Sequence, residues 1–127
     1  MRLSLFEVEK IIASKNKVFG NDAKIYLFGS RVDDESKGGD IDLYVEIQST
    51  QNLLEKKIAF LTLVQNYLGE QKIDIVFAKD ASRAIEMEAK SNGIELDLEK
   101  IKLQKYFDEC DKHLQRIEEA YSDIEKS

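Results

Sequence analysis

With 127 residues, 43% of them hydrophobic, the chain has room for one domain built around one core. A formal net charge of −6 and a sequence pI of about 4.9 exclude a broad basic surface, so no direct nucleic-acid binding is expected. A single cysteine, Cys110, cannot close an internal disulfide, no N-terminal leader is legible, and no apolar run approaches the ~20 residues that span a bilayer. These three features predict a cytoplasmic protein with no membrane association.

In chain order, the first predicted element is a helix. Ser4 followed by Glu7 forms a capping box, and Leu5, Val8, Ile11 and Ile12 share one face until Lys15-Asn16-Lys17 and Gly20-Asn21-Asp22 end the pattern. Lys24 to Phe28 is a short apolar strand that runs into Gly29-Ser30. Nine mostly small and polar residues follow, and Asp40 to Ile47 reads as a second strand. A second helix is predicted from Asn52 to Leu68, with Leu54, Ile58, Leu61, Val64 and Leu68 on its apolar face, Leu53 and Leu63 widening it, and Gly69 as its stop. Gln71 to Ala78 gives a third strand. A short helix then runs from Asp80 to Asn92, capped by Asp80 or Ser82 and stopped at Asn92-Gly93.

The last thirty residues carry the most regular pattern. Leu103, Phe107, Cys110, Leu114, Ile117, Tyr121 and Ile124 alternate spacings of four and three, an unbroken heptad seam. A helix from Leu98 to Glu125 would be roughly 40 Å long, against a radius of gyration of ~14 Å for a domain of this size. Part of the seam is therefore expected to pack on another chain, either a second copy or a partner, the alternative being that it folds back on the chain's own domain. The predicted organisation is a core domain over 1–96 and a helical extension over 97–127.

The chemistry concentrates between the first two strands. Side chains alternate along a strand, so Asp40 and Asp42 share one face while Ile41, Leu43 and Val45 share the other. Adjacent carboxylates repel unless a cation lies between them, and hard oxygen ligands suit Mg²⁺, with Mn²⁺ as the other candidate. Gly29 permits a close backbone approach, and Ser30 offers a hydroxyl and an N–H, so the turn is a candidate phosphate grip. Asp74, flanked by Ile73 and Ile75, would join the pair if its strand lies beside theirs. Arg31 is a candidate triphosphate contact, with pairing to Asp33, Asp34 or Glu35 as the alternative. Those three acids lack the spacing of an EF-hand loop, and His113 has no Cys or His partner at zinc-ligand spacing.

Leu-Phe-Gly-Ser-Arg at 27–31, the polar loop, and Asp-Ile-Asp-Leu at 40–43 resemble the signature of the DNA polymerase β-type nucleotidyltransferases. The short single-domain form resembles the minimal nucleotidyltransferases that serve as antitoxins to HEPN-domain toxins. The resemblance spans Ile25 to Leu96. It implies an α+β (α/β) fold, a small mixed sheet flanked by helices, here with a long C-terminal helix. It further implies that Asp40, Asp42 and Asp74 hold the metal and perform catalysis, Asp74 by taking the acceptor's proton, while Gly29, Ser30 and Arg31 bind ATP or another NTP. In that group AMP passes to a tyrosine of a HEPN RNase. The alternatives are a non-catalytic antitoxin that neutralises its partner by contact, and transfer to a small-molecule hydroxyl.

Overall fold

The computed structural model describes residues 3–29, 40–69 and 71–103. Ser30, Arg31 and the heptad seam beyond Leu103 lie outside the described residues. The chain divides into two compact units, Met1–Asp97 and Leu98–Ser127. In the second, residues 98–103 are helical, and Leu103, the first seam residue, is 54% exposed.

The first unit runs α1 (Leu5–Val18), β1 (Lys24–Phe28), β2 (Ile41–Glu46), α2 (Leu53–Leu68), β3 (Ile73–Phe77), α3 (Arg83–Met87) and β4 (Ile94–Glu95). The capping box opens α1 as the sequence predicts. Ser4 Oγ accepts from the Glu7 N–H at 3.1 Å, and the Ser4 N–H donates to Glu7 Oε1 at 3.0 Å, so two helix-terminal donors are satisfied. The turn into β1 is fastened from within. Lys15, buried in the last turns of α1, donates from Nζ to the Ala23 carbonyl at 2.9 Å and the Asn21 carbonyl at 3.5 Å. Burial lowers its pKa, partly offset by the charges of Asp97, Asp22 and Glu95.

The strands form a mixed sheet in the order β3-β2-β1-β4. β1 is antiparallel to β2 and to β4, while β2 and β3 run parallel with α2 as their crossover. Period-two alternation then sorts the side chains. Ile25 and Leu27, Ile41, Leu43 and Val45, and Ile73, Ile75 and Phe77 all lie buried on one face. α1 and α2 pack together. Phe19, at the end of α1, stacks on Phe60 of α2 at 5.2 Å and meets Phe77 of β3 edge-on at 5.8 Å, tying both helices to the sheet.

Four expectations need correction. Of the face predicted for α2, Val64 is buried, as is Leu53 beside it, but Phe60 joins them from outside that face, whereas Leu54 is 71% and Ile58 57% exposed. The helix is apolar on two sides, and the buried side is the one that carries Phe60 onto Phe19. Asp40 precedes β2 rather than beginning it, and β3 is shorter at both ends than Gln71–Ala78. The third helix is α-helical only through Met87, continuing as a π-helical turn over Glu88–Asn92. Ser82 is its N-cap, its side chain accepting from the Ile85 N–H at 3.2 Å. Gly93 then passes so close to the carbonyls of Ala89 and Leu27 that a Cβ has no space there. β4, absent from the sequence reading, follows at once, and the Leu96 N–H donates to the Ile25 carbonyl at 2.8 Å.

Candidate active site

The second face of the sheet carries the polar alternates of the same strands. Its rows run across the strands: Phe28 opposite Asp42 opposite Asp74, then Tyr26 opposite Tyr44 opposite Val76, then Lys24 opposite Glu46. The parallel register thus places Asp42 and Asp74 directly across from each other. Asp40 sits one residue before β2, opposite Lys72, and there the Ile41 N–H donates to the Lys72 carbonyl at 3.0 Å.

Two features mark Asp42. Its pKa is raised, first because burial removes water from the charged form, then because Asp74 and Asp40 add negative charge, with Lys72 opposing them weakly. Gly29, at φ +78°, lies against its carboxylate so tightly that an added Cβ would drive into Asp42 Oδ2. The turn after β1 is therefore pressed on the acid, as the pairing of Phe28 with Asp42 requires. A side chain at position 29 would suffer both an unfavourable backbone and a steric conflict.

Lys72, which the sequence reading passed over, is ion-paired with Asp40, Nζ to Oδ2 at 3.3 Å, and its side chain is 73% exposed. That hydrogen bond and the neighbouring carboxylates raise its pKa. A signal for it was present, since Lys72 and Asp74 are two apart on one strand and so share a face. Further along the same face, Lys90 from the π-helical turn bonds Glu46 at 2.8 Å and lies 3.7 Å from Glu86. Under this cover Tyr44 is 1% exposed, edge-on to Tyr26 at 5.9 Å, and burial raises its phenol pKa. Tyr44 thus anchors the far end of the face.

The donor set suits a hard divalent cation: carboxylate oxygens on adjacent strands, one held above its ordinary pKa first by burial and then by like charge, are what a cation would relieve. Among the described residues, however, no three acidic, His or Cys side chains already form a group that could hold an ion. Closing the set requires side-chain movement. On the helical side a cavity of about 660 Å³, lined by residues including Lys17, Asn52, Glu55 and Lys56, shares none of the acids of the sheet face. No helix among the described residues is long and apolar enough to cross a membrane.

Of the site residues predicted from sequence, Gly29, Asp40, Asp42 and Asp74 are described and lie at one end of one sheet face. Ser30 and Arg31 fall outside the described residues. The family model for "Polymerase beta, Nucleotidyltransferase" matches residues 7–102. No curated protein matches the chain.

Proposed function

Because this chain belongs to the polymerase β nucleotidyltransferase family and is a transferase of that kind, we propose that it moves AMP from ATP to a tyrosine hydroxyl of a HEPN-type RNase, with Mg²⁺, and so acts as that partner's antitoxin. The observation that most supports retained chemistry is the Asp42–Asp74 register across the parallel pair, with Gly29 against Asp42. A chain that had kept only the fold would have no need of this arrangement, because carboxylates clustered this way repel one another.

Asp40 and Asp42 would offer oxygen ligands to a divalent ion, and Asp74 would complete the set from β3. When bound, that ion supplies positive charge to the phosphates and acidifies the acceptor hydroxyl. Asp74, exposed on the outer strand β3, takes the acceptor's proton. The acceptor oxygen forms a bond to the α-phosphorus, the bond to the bridging oxygen breaks, and pyrophosphate leaves. The turn at Gly29, packed against Asp42, sets its backbone beside the acids, where it would meet the phosphates. Positioning and charge neutralisation, rather than covalent chemistry by the protein, supply the rate.

The test is transfer of label from α-labelled ATP, with Mg²⁺, onto a purified HEPN-type RNase, mapped to a residue by mass spectrometry. Label on a tyrosine supports the reading. Absence of label with neutralisation intact, and unaffected by Asp40→Asn with Asp42→Asn, would replace catalysis by simple contact.

A further inference from the structure

We propose that Lys72 is a substrate-phosphate ligand that, before substrate arrives, stands in for the metal ion by holding Asp40; this rests on the nucleotidyltransferase reading above. Three observations carry it. Among the described residues, one ion pair reaches the acidic cluster, that of Lys72 Nζ with Asp40 Oδ2 at 3.3 Å. The acids do not form a group able to hold an ion as they stand, and Asp40 is the one engaged elsewhere. The backbone beneath is fixed, since Ile41 donates to the Lys72 carbonyl at 3.0 Å and Ile41 pairs with Ile73, while the Lys72 side chain is 73% exposed and free to swing.

An ammonium and a divalent ion compete for the same carboxylate. Lys72 neutralises part of the cluster's charge in the empty protein and must release Asp40 when the ion enters. An exposed pair of this kind is weak, so the release is cheap. The freed ammonium then stands at the edge of the cluster just as the triphosphate brings negative charge to it. A lysine serves both roles because it is a compact point charge on a flexible stem. Substrate arrival thus reorganises a charge already at the site instead of importing one from solvent.

The two roles predict effects of opposite sign, which an ordinary surface ion pair does not. In the full chain, Mn²⁺ binding without nucleotide is measured by titration calorimetry for wild type, Lys72→Gln and Lys72→Arg. Binding of a non-hydrolysable ATP analogue is then measured at saturating Mg²⁺. Lys72→Gln is expected to bind Mn²⁺ roughly two- to fivefold tighter and the analogue about tenfold weaker, and Lys72→Arg to restore analogue binding. Thermal melts check that each variant folds, as expected for so exposed a position. Unchanged or weaker Mn²⁺ binding in Lys72→Gln, or unchanged analogue binding, overturns the proposal. If wild type binds neither ligand, the nucleotidyltransferase reading itself fails; if wild type binds both and Lys72→Gln matches it, only the role of Lys72 fails.

Discussion

The two faces of the sheet are made by the same strands and differ in every respect that matters to function. On one, Ile25, Leu27, Ile41, Leu43, Val45, Ile73, Ile75 and Phe77 are buried against the helical layer and supply stability. On the other, one residue away at each step, Asp42 and Asp74 are set side by side at a cost in electrostatic energy. The strand backbone is rigid because of the first face, and that rigidity lets the second keep two repelling groups in register. Stability and chemistry are separated here by a side-chain period of two, with no separation in space along the chain.

The contrast can be broken most sharply on the acidic face. Asp40→Asn with Asp42→Asn is expected to lower nucleotidyl transfer by about a thousandfold or more, while metal-free thermal stability stays level or rises, since the change removes repulsion. A large loss of stability instead would mean that the acids are structural. The reverse experiment is Phe60→Ala, which removes the ring packed on Phe19 and should cost about 3–5 kcal/mol in urea unfolding. Gly29→Ala touches both properties at once, because the positive φ and the crowding at Asp42 act together. About 1–3 kcal/mol of stability is expected to go, with metal-dependent nucleotide binding weakened in the same protein.

A smaller effect is the pH dependence of the metal-free protein. The folded pKa of Asp42 is raised, so its contribution to stability is fully present below the ordinary aspartate range and is lost as pH rises through the folded value. Melting temperature in chelator should therefore decline slightly with pH just above about 4, and Asp42→Asn should flatten that decline. Smallest of all, Leu54→Lys and Ile58→Lys should each change stability by no more than about 0.5 kcal/mol, because both side chains are exposed on α2. A loss of several kcal/mol there would restore the face that periodicity first suggested.

That last pair shows where sequence reasoning stops. The strands and the common face of Asp42 and Asp74 were legible, because alternation is a local property of the backbone, and so was the Ser4–Glu7 cap. The buried side of α2 was legible only in part, for Val64 and Leu53 belonged to the predicted face and Phe60 did not. Leu54, Ile58 and Leu61 make as good a stripe as Leu53, Phe60 and Val64, and only the sheet decides between them. β4 was equally hidden, since two residues have no period and Ile94–Glu95 are a strand only by pairing with Tyr26 and Leu27. Lys72 was overlooked for a related reason: its meaning depends on the β2–β3 register, which sets it opposite Asp40.

The parallel pairing of β2 with β3 has a kinetic meaning as well. β3 is an outer strand of the described sheet and reaches its place only after the α2 crossover has been laid down. Asp40 and Asp42 arrive early in the chain, but Asp74 joins them only on that last docking. A newly made or locally opened chain with β3 undocked lacks a complete carboxylate set, however well β1 and β2 have formed. Ligand that binds the complete set stabilises only the docked state and shifts the opening equilibrium by mass action. This strand, one of the two edges of the sheet, is thereby also the one that substrate would hold shut.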